Sequence, residues 1–231
     1  MLWSSMFEHA DVVAACGAAA TLFLAYRRDS KRVQRERGEF FSRSLHLFRT
    51  YRVTQDGLSY PVMSAEYCGY PVRLEPIIDD MAWRKIPSLW LKVTVLAPNA
   101  CAGALDFLVR PRGVEFYSPV NELPHRIRIP ADWPQDALLC TDDPDLTPAL
   151  DAVAPHMRLF DAPQMKELLI TPKGTRLVRQ ICQADRAHYL VLRQAKFECG
   201  AVDPLLVKSL LDAALAVGKS LRAAEPRLLV A

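Results

Sequence analysis

The first fifty or so residues are predicted to form one long helical segment. An uninterrupted apolar run occupies residues 12–26, and a dense basic stretch follows it directly at residues 27–37. A run that is apolar on every side is typical of a membrane span or of a helix buried in a core. Beyond it, four apolar residues recur at helical spacing: Phe40, Phe41, Leu45 and Phe48. The pattern therefore predicts helical structure to about residue 48.

From residue 51 onward the apolar residues alternate with polar ones, which is typical of strands. The predicted strands occupy residues 62–68, 71–77, 89–96, 104–110, 125–129, 175–182 and 188–194. The first two flank a Gly69-Tyr70 turn, and the last two flank a turn at residues 183–187. Strands that follow one another as hairpins pair antiparallel, so we expect an antiparallel sheet.

Helices are predicted where an aspartate precedes a proline. Asp143-Pro144 and Asp203-Pro204 are typical of an N-cap followed by a proline in the first turn. They predict helices from residue 144 to about 153 and from residue 204 to about 221. Asp161 predicts a further short helix at residues 162–169, preceded by an extended segment at residues 157–160.

The predicted fold class is α+β, with an N-terminal single transmembrane helix followed by a cytoplasmic domain of antiparallel sheet with helices packed on one face. Four parts are predicted: a transmembrane anchor at residues 1–27, a basic juxtamembrane helical stalk at 28–50, the α+β domain at 51–225 and a tail at 226–231. Fifteen helical residues span about 22 Å, less than the roughly 30 Å of a hydrocarbon core. The predicted anchor therefore needs its flanking residues, and a core helix or a signal-peptide segment is the alternative.

Charge predicts an orientation for this anchor. Basic residues flank only the C-terminal side of the apolar run: Arg27, Arg28, Lys31, Arg32, Arg35 and Arg37. The positive-inside rule then predicts a single-pass protein of the cell inner membrane, with its N-terminus outside and its C-terminal domain cytoplasmic. The basic stretch has a net charge of +4 and the whole chain +3, so the rest sums to −1. This local charge predicts contact with anionic lipid headgroups and no binding of nucleic acid.

Two further surfaces are candidates for protein contacts. Small residues recur along one side of the predicted anchor, which favours packing against a helix of an integral membrane protein partner. These residues are Ala10, Ala14, Gly17 and Ala18. A mixture of aromatic and basic residues marks a possible partner surface in the domain: Trp83, Arg84, Lys85 and Trp90.

Sequence motifs for catalysis, cofactor binding or metal binding are absent. The nine glycines form no phosphate-binding loop, and the five histidines and six cysteines have no metal-site spacing. No catalytic residue, cofactor or metal is therefore predicted. The cysteines are expected to be reduced, as is usual in a cytoplasmic domain. Cys182 and Cys199 flank a predicted hairpin, and a disulfide between them would contradict the predicted topology.

These features favour a non-enzymatic accessory or assembly subunit of a bacterial-type membrane protein complex. In this hypothesis one N-terminal helix tethers the protein, and the cytoplasmic domain contacts the partners. The alternatives are a membrane-tethered hydrolase or transferase with an unrecognised site, and a lipid or small-ligand sensor. A deep pocket that holds a histidine beside a carboxylate or cysteine would favour the enzyme. A cavity that opens near the basic stretch would favour the sensor.

Overall fold

A computed structural model describes the backbone of residues 2–80, 86–113 and 115–224, and the side chains from residue 16 onward except at position 192. The chain begins with a 37-residue helix, α1 (Leu2–Gly38), and continues as a 3-10 helix (Glu39–Leu47). The prediction of helical structure to about residue 48 is thus confirmed. Phe40 and Phe41 are each 1% exposed and fix the 3-10 helix to the core.

The predicted transmembrane anchor is corrected by the structure. In the part of the chain described, no helix combines the length and the apolar character needed to cross a membrane. The physical reason lies in the sequence, because the apolar run has fifteen residues and the same helix then continues through the basic stretch. The predictions of a single-pass protein, of an inner-membrane location and of an outside N-terminus with a cytoplasmic domain are therefore wrong.

Nine antiparallel strands form one sheet. The alternating pattern predicted an antiparallel sheet but not the number of its strands. The strands are β1 (Tyr51–Thr54), β2 (Val62–Tyr67), β3 (Tyr70–Asp79), β4 (Ser88–Val95), β5 (Leu105–Val109), β6 (His125–Arg126), β7 (Ala137–Thr141), β8 (Met165–Thr171) and β9 (Gly174–Gln183). Their order in the sheet is β1-β2-β3-β4-β9-β8-β5-β7-β6. The first four strands form a meander, and β9 joins this meander to the rest of the sheet.

Helices cover one face of the sheet. The remaining helices are α2 (Leu150–Val153), α3 (Arg186–Leu192) and α4 (Pro204–Ala224), with 3-10 helices at Pro144–Leu146 and Ala154–Asp161. α4 lies against β4 and β9, and its buried residues pack with Leu91 and Val93 of β4 in the main core. Burial of each such leucine or valine contributes about 2 kcal/mol relative to exposure.

Three segments have a different type of secondary structure from the one predicted. Residues 162–169, predicted as a helix, contain most of β8, which is buried along six of its seven positions and pairs with β5 and β9. Residues 188–194, predicted as a strand, fall largely in α3, where the Asp185 carboxylate caps the helix by accepting the N–H of His188 at 2.5 Å. Residues 157–160, predicted as extended, belong to a 3-10 helix.

The start of β9 requires a glycine because the chain passes very close to β4. A Cβ atom added at Gly174 would collide with the backbone oxygen of Val95. Because glycine has no Cβ atom, the backbone of β9 can lie directly against the end of β4, where the meander joins the rest of the sheet.

Candidate functional site

The base of α1 is fixed to the domain by polar contacts. Arg37 Nη1 donates to Leu58 O at 2.6 Å, and the Arg37 guanidinium lies 5.2 Å from the centre of the Tyr60 ring. Gln55 Nε2 donates to Gln34 O at 2.9 Å. These contacts hold the last turns of α1 against the loop that joins β1 to β2.

The half of α1 before this base projects from the domain. Every described side chain from residue 16 to residue 29 is exposed, and we call this segment the projecting helix. It includes large apolar side chains with the following exposed fractions: Leu22 71%, Phe23 58%, Leu24 60% and Tyr26 66%. Single exposed apolar residues are normal on a protein surface, but a contiguous group of them marks an interaction site.

The basic residues predicted to contact headgroups lie in two different environments. Arg27, Arg28, Lys31, Arg32 and Arg35 are exposed. Arg32 Nη2 lies 2.6 Å from Asp29 Oδ1, but both side chains are more than half exposed, so this pair contributes little to stability. The sixth, Arg37, is partly buried in the contacts with Leu58 and Tyr60 and serves the fold.

The small residues predicted to pack against a partner helix are only partly described. Gly17 and Ala18 are exposed, and a Cβ atom added at Gly17 would meet no described neighbour within 4 Å. Ala10 and Ala14 belong to the same helix, but their side chains lie outside the described residues. The surface next to Gly17 is therefore open to a partner.

The predicted partner surface is corrected at Trp90 alone. Trp83, Arg84 and Lys85 lie outside the described residues. Trp90 is 7% exposed, and its ring centre is 6.0 Å from that of Tyr117. It points away from the main core, as the alternation of β4 predicted, but residues 115–120 cover that face. Trp90 is thus an interior residue.

A groove of about 720 Å³ opens beside the base of α1, a volume typical of small-ligand pockets. One wall is the basic part of α1, including Arg32, Val33 and Arg37. The other wall is the irregular segment of residues 193–200, which we call the strap. Tyr60 and Phe197 meet across the groove with ring centres 6.4 Å apart.

A disulfide holds the strap. Cys182 of β9 is bonded to Cys199, 17 positions further along the chain. Asp185 N also donates to Lys196 O at 2.8 Å. The expectation that the cysteines are reduced is therefore corrected at this pair, and the bond stands against the predicted cytoplasmic location as well. Cys16, Cys68, Cys101 and Cys140 are free.

A histidine beside a carboxylate or a cysteine in a pocket would favour an enzyme. His188 lines the groove, but its Nδ1 lies 3.1 Å from Gln194 O, and the disulfide leaves Cys199 without a thiol nucleophile. His156 Nε2 lies 2.8 Å from Ser220 Oγ, and burial lowers the pKa of His156, which favours a neutral base. Among the described residues, no carboxylate orients His156, as a nucleophilic serine would require.

A buried polar cluster on the second face of the sheet was not predicted. Asp106 of β5 and Glu167 of β8 are 0% exposed and are diagonal neighbours across the two strands. Arg176 of β9 binds Glu167 through two hydrogen bonds of 3.1 Å, and Ser118 Oγ donates to Asp106 Oδ2 at 2.8 Å. Burial and the charge of Glu167 raise the pKa of Asp106 well above its ordinary value. We therefore assign the proton to Asp106 and the negative charge to Glu167, which has the arginine partner.

A second buried pair lies nearby. Lys166 Nζ is 2.8 Å from Glu115 Oε1, and both side chains are almost fully buried. Burial acts to raise the pKa of Glu115, but the hydrogen bond and charge of Lys166 outweigh it and hold that pKa below its usual range. In the described part of the chain, no group of three or more histidine, cysteine or acidic side chains could hold a metal ion.

The sequence singled out Cys182 and Cys199 as a pair that could approach each other, but it indicated neither the groove nor the polar cluster. Each is made by segments that are distant in sequence, such as α1 with the strap. The sequence gives a weak signal for Asp106. Its side chain lies on the other face of β5 from those of Leu105 and Phe107. Only the cover formed by residues 115–120, which no periodicity predicts, turns that solvent-facing position into a buried one.

Comparison with known protein families and with curated proteins gives no match. Among solved structures, the crystal structure of the mycobacterial trehalose monomycolate transport factor A, TtfA, resembles this chain with a TM-score of 0.44 and 11% sequence identity. The resemblance covers 82% of this chain and 94% of that one. A similarity of this size carries no argument about function.

Proposed function

We propose that the protein is a non-enzymatic accessory or assembly subunit of a membrane protein complex, and that its projecting helix binds an integral membrane protein partner. The observation that carries this proposal is the exposed apolar group of Leu22, Phe23, Leu24 and Tyr26. No part of the described domain covers these side chains. Their burial against a partner would contribute roughly 25 cal/mol for each Å² removed from water.

Electrostatics supports a partner located at a membrane surface. Five exposed basic residues follow the apolar group on the same helix. Basic residues close to an anionic membrane surface gain about 1 kcal/mol each. The two surfaces together fit a protein that meets an integral membrane protein beside lipid headgroups.

The test is co-purification of the full chain in mild detergent, followed by mass spectrometry. We expect the wild type to retain a stoichiometric set of integral membrane proteins. A variant with Leu22→Ser, Phe23→Ser and Leu24→Ser should lose that set, with a change in the free energy of unfolding of less than about 0.5 kcal/mol because the positions are exposed.

The matched control is Val191→Ser with Leu205→Ser, two apolar residues that are 79% and 74% exposed on other helices. This control should retain the partners. A wild-type protein that purifies alone, or equal retention by both variants, would contradict the proposal.

A second candidate function is small-ligand binding in the groove, because the groove opens beside the basic stretch and contains Tyr60 and Phe197. Native mass spectrometry of protein purified without detergent should then show a bound molecule of fixed mass. Val33→Trp should fill the groove and remove that mass, whereas Leu205→Trp should keep it. An unliganded wild type would exclude a stable endogenous ligand.

A further inference from the structure

The first strand of the sheet leaves one edge unpaired. β1 pairs only with β2 in the described part of the chain, and all four of its residues are exposed. Exposed strand edges present unpaired N–H and C=O groups that can accept a further strand. The sequence of β1 and its register with β2 show what such a strand would meet.

The hydrogen-bond pattern identifies the outward-facing backbone groups. Thr50 O accepts from Glu66 N at 3.0 Å, so Thr50 faces β2. In an antiparallel pair, every second residue directs its N–H and C=O groups toward the partner strand. The register pairs Arg52 with Ser64 and Thr54 with Val62. Arg52 and Thr54 therefore also bond to β2, while the N–H and C=O groups of Tyr51 and Val53 point away from the sheet.

The side chains of β1 continue two different surfaces. Val53 lies beside Met63, which is 0% exposed, so Tyr51 and Val53 extend the face that carries the main core. They remain 46% and 38% exposed because the core ends at this edge. Arg52 projects from the opposite face and forms no ion pair with a described residue.

A second copy of this chain fits the edge poorly. The two-fold pairing that uses all four outward groups places Tyr51 opposite Val53 of the other copy, and Arg52 opposite Arg52. The two arginines would occupy a non-hydrogen-bonded pair, in which the Cα atoms are only about 4.5 Å apart. Like charges directly opposite each other destabilise a sheet.

We propose that β1 accepts an extended strand from the partner protein, with an acidic side chain opposite Arg52 and apolar side chains opposite Tyr51 and Val53. This inference rests on the proposed function, because it gives the same partner a second contact. β1 lies next to the base of the same helix, since Gln55, directly after β1, is hydrogen-bonded to Gln34 of α1. Backbone hydrogen bonds would supply affinity, and the charge opposite Arg52 would supply selectivity.

The probe for this edge is a short synthetic peptide of alternating valine and glutamate, added to the isotope-labelled full chain. Hydrogen exchange of the Tyr51 and Val53 amides should slow by about fivefold or more, the effect of one net hydrogen bond each. The Arg52 and Thr54 amides already bond to β2 and should not change. No slowing, or equal slowing at all four amides, would overturn the proposal.

Two substitutions make the test specific. Val53→Pro removes only an outward N–H, which an edge strand tolerates, and should abolish the slowing at Tyr51, whereas Val53→Thr should keep it. Arg52→Glu should reverse the preference, so that a peptide of alternating valine and lysine binds in place of the acidic one. This charge reversal remains informative if the proline variant fails to fold.

Failure here is separable from failure of the proposed function. A chain that retains its membrane protein set through the projecting helix but shows no peptide effect would lose only the β1 contact. Binding of the basic peptide by the wild type would likewise overturn the charge argument alone. Loss of the protein set with intact peptide binding would contradict the proposed role of the projecting helix.

Discussion

At the scale of single residues, the second face of the sheet is unusual because it buries ionisable groups. Asp106 and Glu167 are 0% exposed, and the Lys166–Glu115 pair lies nearby. Buried ion pairs rarely add net stability, but removal of one partner leaves a charge without compensation. The residues at 115–120 are therefore held over this face by polar contacts that tolerate few substitutions.

Asp106→Asn is expected to change how stability depends on pH. The pKa of Asp106 is raised in the folded state, so its contribution is fully present below the unfolded pKa of about 3.9 and is lost as pH rises through the folded pKa. Asparagine cannot ionise and can still accept from Ser118. In urea unfolding from about pH 4 to pH 8, the wild type should lose on the order of 1 kcal/mol more than the variant.

The control for this series is Asp132→Asn, because Asp132 is exposed. Its stability curve should run parallel to that of the wild type. If the Asp106→Asn curve is also parallel to the wild type, Asp106 is ionised in the folded protein and the assignment of the proton is wrong.

At the scale of elements, the strap has no regular structure and depends on a few contacts. It is held against the sheet and α1 by the Cys182–Cys199 bond, by one backbone hydrogen bond at Lys196 and by the Tyr60–Phe197 ring pair. The disulfide closes a loop of 17 positions that also contains α3. One wall of the groove therefore depends on one covalent bond and a few non-covalent contacts.

Cys182→Ser is expected to lower the free energy of unfolding by about 3 kcal/mol, the typical effect of a loop of this length. It should also speed tryptic cleavage after Arg193 and Lys196, which are exposed. Thermal unfolding and timed proteolysis with and without a dithiol reductant measure both effects. Cys68→Ser, which removes a free exposed thiol, is the control. Equal cleavage rates in the two variants would show that the strap stays in place without the bond.

Some elements were predictable because their determinants are local. α4 begins at Pro204, where Asp203 Oδ1 accepts the N–H of Leu205 at 3.0 Å, and both residues are visible as a motif. The β2–β3 hairpin is closed by its own turn at Gly69, which has a φ of +80°. Such signals act within a few residues, so the sequence is sufficient to find them.

Other elements were not predictable because distant partners decide them. Residues 165–171 are rich in helix-forming types, yet pairing with β5 and β9 makes them a strand. The candidate site shows the same division. The basic stretch and the apolar residues of the projecting helix were evident, whereas the groove, the disulfide and the burial of Trp90 arise only from tertiary contacts. The prediction of a membrane anchor is wrong because the apolar run is only fifteen residues long, which is too short without its flanking residues.

At the scale of the whole molecule, the sheet is assembled from two parts that are joined by one strand. β1 to β4 form a meander from residues 51–95, and β9 pairs with β4 on one side and β8 on the other. Gly174, which permits the close approach of β9 to Val95, lies at this junction. The β4–β9 pairing therefore holds the two parts of the sheet together.

The position of β9 in the sequence also determines how long β4 lacks one of its partner strands during synthesis. β4 is almost wholly buried in the finished protein, but its partner begins about 80 positions later, at Gly174. At about 5–20 residues per second, a ribosome needs on the order of 4 to 16 s to synthesise that interval. Throughout it, the most apolar edge of the meander stays unpaired. The growing chain is therefore exposed to aggregation through the edge of β4 during this interval.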